Sequence, residues 1–289
     1  MAHKIGKAHR QFINEKLQRA WNSRNNPLIP LPLSPQEYPD SKYIILTIVT
    51  SSYLRLALNW WQHLMRLGVS PERVLLLTNM PCTNLTGNGT EFVGALCRYH
   101  QWSELFKKRT VVLHELLREG KTVVSSDVDA VWLHSCVFDF IHSPRYMNDI
   151  AVFSAGTWPP VLARKWNTNT TACTGFVVYR PAAASLISMV LSETTIGPGW
   201  DDQLLLNRVL SILNVQWQHF DQGYKGVLSN GESVFLLNNT LVMRLCETNR
   251  LPTEACVAHC DSAPQHPMLK EKMLHSYGLW FDDEIYKIY

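Results

Sequence analysis

Two aspartates separated by one residue, Asp127 and Asp129, stand in the stretch KTVVSSDVDAVWL (121–133). The residues before them predict a buried strand, and an apolar stretch follows them. Because ligands of open α/β sheets gather at the carboxyl ends of strands, two carboxylates leaving a strand together can share one divalent cation. Hard oxygen ligands of this kind suit Mg²⁺ or Mn²⁺ bridging a diphosphate. The competing interpretation is a chance pair of aspartates, because the tripeptide by itself is weak evidence.

A second polar cluster, Asp201, Asp202 and Gln203, precedes the apolar run LLLNRVLSIL. Acidic residues at a helix N-terminus are favoured by capping and by the helix dipole, which gives a purely structural explanation. Three polar groups nevertheless exceed what one cap requires. The cluster is therefore a second candidate for chemistry.

Alternating strands and helices must position these residues. Strand patterns cover 42–50, 73–79, 121–126, 149–156 and 175–180, with shorter ones near 215–220, 233–237 and 256–259; helix patterns cover 53–67 and 103–119 and begin again at Pro181 and Asp201. This alternation predicts α/β layering with a mainly parallel sheet in one domain over residues 41–289. Residues 1–40 are predicted to form a helical and proline-rich segment.

Two groups of conspicuous side chains have simpler interpretations. Lys107, Lys108 and Arg109 are predicted to form a solvated helix face. Trp60 and Trp132, like most of the ten tryptophans, lie in apolar contexts that favour core packing over sugar stacking.

Composition excludes several classes of protein. With 46% hydrophobic residues in 289, the chain can bury a full core, so disorder is not expected. The net charge of +3 and the scattered basic residues do not favour a nucleic-acid partner. No run of about 18 or more apolar residues occurs, and the N-terminus is polar, so neither a membrane span nor a signal peptide is expected within this sequence.

Cysteines and glycosylation signals favour an oxidising compartment. The seven cysteines include Cys82 and Cys97, which bracket a loop-like stretch and are the favoured disulfide pair. Asn-x-Thr signals occur at Asn84, Asn88, Asn169 and Asn238. A cytosolic chain with accidental signals is the alternative. A zinc site built from Cys246, Cys256, His259 and Cys260 is a further alternative, although the spacing fits no common site.

The stretch LLREGKTVVSSDVDAVWL resembles the G-x-x-V-x-x-x-D-x-D-x-x-W signature of the nucleotide-diphospho-sugar transferases, typified by plant rhamnogalacturonan xylosyltransferases and extensin arabinosyltransferases. Further phrases occur in the same order: TIVTSSYLRLALNWW (47–61), TGFVVYRP (174–181), DDQLLLN (201–207), VAHCDS (257–262) and YGLWF (277–281). The resemblance thus extends over about residues 42–281. It implies a GT-A glycosyltransferase fold, with a Rossmann-like sheet flanked by helices.

The resemblance also implies an activity and roles for individual residues. The activity is transfer of a sugar from a nucleotide diphosphate, UDP favoured, to a glycan or glycoprotein acceptor with retention. Asp127, Asp129 and His259 would hold Mn²⁺ or Mg²⁺, and Asp127 would alternatively hold the ribose. Ser125 and Ser126 would line the nucleotide site, and Lys270 or Lys272 would meet the diphosphate. Asp202 would bind sugar or acceptor hydroxyls, and Gln203 would stabilise the developing oxocarbenium charge.

The resemblance further places the full-length protein in the Golgi or ER lumen as a type II membrane protein, with its anchor preceding this sequence. One departure is that the usual His-x-Asn is here His259-Cys260-Asp261, which leaves the role of Asp261 open. The alternative for His259 is a buried histidine whose hydrogen bonds are satisfied and which has a purely structural role. The alternative for Lys270 and Lys272 is a solvated surface side chain. Two other classes stay open: a two-carboxylate phosphatase with Asp127 as nucleophile, and a GT-A-like binding protein without turnover.

Overall fold

The computed structural model describes residues 43–86, 92, 94–101, 104–193, 201–245, 254–260 and 266–281. By its contacts the chain divides into Met1–Gln36 and Glu37–Tyr289, and the described residues belong to the second unit. The predicted N-terminal segment over residues 1–40 lies outside them, so its boundary stays a prediction. Within the described part of the chain, no helix has the length and apolar character needed to cross a membrane.

Strands and helices alternate along most of the described chain. The strands are β1 (Tyr43–Val49), β2 (Val74–Thr78), β3 (Leu96–Tyr99), β4 (Thr122–Ser126), β5 (Ala130–Trp132), β6 (Asp149–Gly156), β7 (Thr171–Tyr179), β8 (Gln216–Phe220), β9 (Gly223–Val227), β10 (Ser233–Leu237), β11 (Val242–Arg244) and β12 (Val257–His259). The helices are α1 (Leu54–Arg66), α2 (Thr83–Thr86), α3 (Leu105–Arg118), α4 (Val137–His142), α5 (Pro160–Trp166), α6 (Ala184–Ser192), α7 (Asp202–Ile212) and α8 (Pro267–Ser276). The predicted α/β layering is confirmed.

Among the described residues, nine strands form one sheet in the order β3-β2-β1-β4-β7-β6-β10-β9-β8. The expectation of a mainly parallel sheet needs correction, because four pairings are parallel (β2 with β3, β1 with β2, β1 with β4, β6 with β10) and four are antiparallel. Strand β7 enters between β4 and β6 in the opposite direction to both. The C-terminal meander β8-β9-β10 adds two more antiparallel pairings, and β9 was missed because its glycines weaken a strand pattern.

A second, small sheet has the order β11-β12-β5. It joins the chain just after β4 to a segment more than a hundred residues later, since β5 pairs antiparallel with β12. A disulfide between Cys136 and Cys256 links the same two segments covalently, with a sequence separation of 120 residues. The sequence did not indicate this pair, whereas the predicted Cys82–Cys97 disulfide is confirmed.

The main core lies between the large sheet and the helices α3, α6 and α7. Leu113 and Leu117 of α3, Ile187 of α6 and Leu206 of α7 are buried in it. Each of these three helices buries an apolar face in this core. Gly120 ends α3 with φ 77°, a left-handed conformation that glycine adopts at little cost. The chain then turns directly into β4, which carries the aspartates.

Candidate metal and nucleotide site

The two aspartates lie on the turn that joins β4 to β5, directly after the strand that the sequence predicted. The amide of Asp127 donates to the carbonyl oxygen of Gly175 in β7 at 2.7 Å, and the amide of Ala130 donates back to the carbonyl oxygen of Asp127 at 3.0 Å. These bonds fix the turn on both sides. Asp129 is buried, whereas the side chain of Asp127 is 37% exposed.

His259 reaches this turn through the small sheet. Because β12 pairs with β5, His259 stands opposite Ala130, and the amide of Cys260 donates to the carbonyl oxygen of Asp129 at 2.9 Å. The imidazole Nε2 lies 3.5 Å from Asp129 Oδ1 and 4.0 Å from Asp127 Oδ2. One ligand atom from each of the three residues lies within 4.8 Å of the others.

This donor set fits a divalent cation. Two carboxylates and one imidazole suit Mn²⁺, and the carboxylates alone suit Mg²⁺. Gly175 makes the approach of the imidazole feasible, because a Cβ there would lie 2.0 Å from His259 Cε1. The zinc alternative is wrong, since Cys256 is bonded to Cys136. Cys246 and Asp261 lie outside the described residues.

Asp129 is surrounded by positive charge. The ammonium of Lys270 in α8 donates to Asp129 Oδ2, and His259 approaches the other oxygen. Burial alone would raise the pKa of the Asp129 carboxyl, but His259 and Lys270 outweigh it and hold that pKa far below its usual range. Burial likewise opposes a raised pKa of Lys270, and Asp129 outweighs it. Asp129 is therefore a carboxylate at neutral pH.

Arg109 is part of the site, and its prediction as a solvated side chain is wrong. Its side chain is only 5% exposed, and its two terminal nitrogens bind Asp127 Oδ1 at 2.6 Å and Asp202 Oδ2 at 2.5 Å. Burial opposes its charge, but Asp202 and Asp127 raise the pKa of Arg109 above its usual range. The missed signal was its spacing, because Arg109 falls on the same face of α3 as Leu105, Val112 and Leu113. Lys107 is exposed as predicted.

The start of α7 divides its three polar residues between two tasks. Asp201 is the N-cap, and its Oδ1 accepts from the amide of Leu204 at 2.8 Å. Asp202 instead faces Arg109 and lies 3.3 Å from Thr174 Oγ1. Gln203 is held at both ends of its amide. Its Oε1 accepts from the Thr174 amide at 3.4 Å, and its Nε2 donates to the carbonyl oxygen of Trp158 at 2.9 Å.

The remaining predicted residues occupy different positions. Ser126 is fully buried, and its hydroxyl oxygen accepts from the indoles of Trp60 at 3.3 Å and Trp132 at 3.1 Å. This hydroxyl therefore satisfies two buried indole N–H groups of the core. Ser125 is also buried and lines a cavity of about 20 Å³ beside Arg109 and Asp202. Lys270 lies in the site, whereas Lys272 is exposed two residues further along α8.

Tyr53 lies beside the site and was not singled out from the sequence. Lys270 Nζ is 5.8 Å from the centroid of its ring. Tyr53 follows β1, the strand next to β4 in the sheet, so its position agrees with the gathering of site residues at strand ends. In the sequence it lies after the strand pattern 42–50, at the first position of the helix pattern 53–67.

Comparison with known proteins identifies the family. A model of nucleotide-diphospho-sugar transferases matches residues 74–262, which is more than half of the chain and includes Arg109, Asp127, Asp129, Asp202 and His259. The chain therefore belongs to this family of glycosyltransferases, as its resemblance implied. Membership of the family argues against the phosphatase alternative. No curated protein sequence matches the chain.

Solved structures of glycosyltransferases are similar to this chain. The bifunctional enzyme WbbM in its apo form has a TM-score of 0.51 at 12% identity, covering 89% of this chain and 53% of that one. GlyE of Streptococcus pneumoniae has a TM-score of 0.46 at 12% identity, with 85% and 62% covered. Mouse xyloside xylosyltransferase 1 has a TM-score of 0.46 at 10% identity, with 76% and 97% covered.

The similarity to WbbM supports the GT-A fold and nothing finer, because the identity is low. This chain spans 62% of the length of GlyE and 53% of the length of WbbM.

Proposed function

We propose that this protein is a divalent-metal-dependent glycosyltransferase that moves a sugar from a nucleotide diphosphate, UDP favoured, to a glycan or glycoprotein acceptor with retention. The observation that carries the proposal is the cluster of Asp127, Asp129 and His259, which lies within the family match and can supply three ligand atoms to one cation. Mn²⁺ or Mg²⁺ would be held there. When bound, the cation would neutralise the charge that builds on the leaving diphosphate.

Lys270 supports the diphosphate side of the proposal. Its ammonium pairs with Asp129, so the positive charge of Lys270 lies beside one of the proposed metal ligands. When the carboxylate binds a metal ion, Lys270 is available to contact a diphosphate oxygen as a point charge. Lys272 is exposed on α8 and would contribute only if the donor extends that far.

Asp202 and Gln203 support the sugar side. Arg109 fixes the carboxylate of Asp202, and Thr174 and Trp158 fix the amide of Gln203, so both side chains are oriented before substrate binds. Asp202 would accept hydrogen bonds from sugar or acceptor hydroxyls. The carbonyl oxygen of Gln203 would stabilise positive charge at the anomeric carbon.

Transfer then requires no separate general base. The bond from the anomeric carbon to the diphosphate breaks, and a bond from that carbon to the acceptor oxygen forms on the same face. The acceptor proton passes to an oxygen of the departing diphosphate, which leaves the anomeric configuration retained.

Titration calorimetry with UDP in the presence and absence of Mn²⁺ tests the metal and nucleotide assignment. Asp129→Asn should lose the metal-dependent part of UDP binding, because the amide keeps the shape and loses the charge. Asp127→Asn should weaken it. The matched control is Asp201→Asn, since asparagine also caps helices well and Asp201 makes only the cap. Unchanged metal-dependent affinity in both site variants would refute the assignment.

Product analysis tests the rest. A screen of UDP-sugars identifies the donor, and NMR assignment of the first-formed anomer should find retention; an inverted product would exclude the same-face mechanism. Asp202→Asn and Gln203→Ala should lower kcat by at least about tenfold while the affinity for UDP stays near that of the wild type. Normal UDP binding with no turnover on any donor would instead favour a binding protein of the same fold.

The compartment proposed is the Golgi or ER lumen. Two disulfides, Cys82–Cys97 and Cys136–Cys256, indicate a secreted or lumenal protein, because such bonds are rare in reducing compartments. Anchoring as a type II membrane protein belongs to the proposal.

A further inference from the structure

Trp158 is the most exposed tryptophan in the part of the chain that the structure describes. The residue is 54% exposed, whereas Trp60 and Trp132 are fully buried. An indole is a large apolar surface, and most tryptophans are largely buried. Folding alone gives no reason to leave this ring in water, although a single exposed apolar residue is by itself unremarkable.

The main chain at Trp158 is nevertheless held firmly, and the residue that holds it belongs to the proposed site. Its carbonyl oxygen accepts from Gln203 Nε2 at 2.9 Å and from Thr171 Oγ1 at 2.7 Å. The next residue, Pro159, is buried. The indole is therefore an exposed ring on a fixed main chain, and the carbonyl oxygen of that main chain is hydrogen-bonded to the Gln203 amide proposed to face the anomeric carbon.

The order of contacts indicates which substrate this ring would meet. Asp127 of the metal cluster binds Arg109, and Arg109 binds Asp202 at the start of α7. Gln203 follows Asp202 in that helix, and Trp158 is bonded to Gln203. Trp158 is thus the last residue in a chain of contacts that begins at Asp127, where the nucleotide diphosphate would bind. A group next to Gln203 at this far end meets the acceptor more readily than the nucleotide.

We propose that the indole of Trp158 forms one wall of the acceptor subsite and stacks against a sugar ring of the acceptor. Sugar rings present an apolar face of C–H groups between their hydroxyls, and an aromatic plane fits that face. The chemistry expected of the acceptor is accordingly a neutral saccharide, free or protein-linked. This inference rests on the proposed function, because it places the acceptor relative to Asp202 and Gln203.

Binding to an array of immobilised neutral oligosaccharides, with UDP and Mn²⁺ present, tests the inference. The wild type should retain at least one saccharide. Trp158→Ala should lower that retention at least about tenfold, and Trp158→Phe, which keeps an aromatic plane, should lower it by less than about threefold. The control is Phe220→Ala on the edge strand β8, an aromatic ring that is 37% exposed and should leave retention unchanged.

Calorimetry with UDP and Mn²⁺ on the same variants separates this inference from the proposed function. Loss of saccharide retention with unchanged UDP affinity supports an acceptor subsite at Trp158. Equal retention by wild type and Trp158→Ala overturns it, as does UDP binding by a wild-type protein that retains no saccharide. Absence of UDP binding in the wild type contradicts the proposed function itself. Thermal unfolding of Trp158→Phe and Trp158→Ala verifies that both variants are folded.

Discussion

Arg109 joins the two groups of polar side chains that the sequence presents separately. Asp127 belongs to the turn after β4 and Asp202 to the start of α7, and the planar guanidinium binds one carboxylate with each terminal nitrogen. A buried arginine between two carboxylates keeps its charge at every physiological pH. The residue therefore positions a metal-ligand candidate and a sugar-binding candidate relative to each other.

Arg109→Lys is expected to lower kcat by at least about tenfold, because an ammonium is a point charge and cannot span both carboxylates. The free energy of unfolding should fall by about 1–3 kcal/mol, since one buried hydrogen-bonded group loses its partner. Initial rates and urea unfolding measure the two effects. Arg118→Lys on the exposed end of the same helix is the matched control and should change neither quantity. A wild-type rate in Arg109→Lys would show that the bridge has no positioning role.

Gly175 decides whether His259 can approach the aspartates. In Gly175→Ala the new methyl group would lie 2.0 Å from the imidazole Cε1, so the ring must leave the position that it holds beside Asp129. We expect the affinity for Mn²⁺, measured by calorimetry in the presence of UDP, to fall at least about tenfold.

A double-mutant cycle distinguishes this clash from a general effect on β7. Gly175→Ala should destabilise the wild type but cost much less in a His259→Ala background, where the ring is gone. If Gly175→Ala lowered the free energy of unfolding equally in both backgrounds, the methyl group would clash with a group other than the His259 ring.

At the scale of elements, the C-terminal segment is clamped onto α1. His63 Nε2 lies 3.1 Å from the carbonyl oxygen of Leu279, and Asn59 Nδ2 donates to the same oxygen at 3.0 Å. The amide of Phe281 donates to Asn59 Oδ1 at 2.9 Å. Helix α8, which carries Lys270, lies directly before this clamp, so the clamp helps to hold Lys270 near Asp129.

The clamp should weaken in acid. Burial lowers the pKa of His63 to about 4, whereas an unfolded histidine titrates near 6.5. Between these values the unfolded chain binds more protons than the folded one. The contribution of neutral His63 to the free energy of unfolding is therefore complete above about pH 6.5. It is lost as the pH falls to about 4, which lowers the free energy of unfolding by roughly 3 kcal/mol.

Urea unfolding measured from pH 7 to pH 4 checks this expectation. His63→Gln, whose amide can still donate to Leu279, should show a shallower loss of stability over that window. The exposed His219→Gln should keep the slope of the wild type. An unchanged slope in His63→Gln would assign the acid sensitivity to other groups.

The sequence predicted local elements better than pairings. The strands 149–156 and 233–237 were predicted with the observed bounds, because a short apolar run is a local property of the sequence. The direction of β7 and the pairing of β5 with β12 depend on contacts between distant segments, which local patterns do not contain. Gly175 was missed for the same reason, since its partner His259 lies more than 80 residues away in the sequence. Arg109, in contrast, carried a local signal in its position on the apolar face of α3.

At the scale of the whole molecule, the glycosylation signals differ in accessibility. Asn84 and Asn169 are exposed, and Asn88 lies outside the described residues. Asn238 is half-buried, and its amide is engaged. Its Oδ1 accepts from the Thr240 amide at 3.1 Å, and its Nδ2 donates to the carbonyl oxygen of Asp221 at 3.1 Å.

Expression in a secretory host should therefore give glycans at Asn84 or Asn169 and low occupancy at Asn238, because a glycan on that amide would oppose the turn that follows β10. Mass spectrometry of peptides before and after endoglycosidase treatment measures the occupancy of each site. An unglycosylated protein with reduced cysteines would contradict the lumenal assignment, whereas high occupancy at Asn238 would contradict the argument from its hydrogen bonds.

The reversed direction of β7 also bears on how such an enzyme can diversify. Thr174 and Gly175 lie in the nine-residue strand β7 at the point where its register with β6 shifts, and the residues that follow them, 176–179, pair with β4. An insertion or deletion of one residue within 177–179, which pair with both β4 and β6, would turn the side chains that follow it in β7 to the opposite face of the sheet. Changes in chain length that adapt the enzyme to new acceptors are therefore restricted to the connections, such as residues 157–170, which carry Trp158.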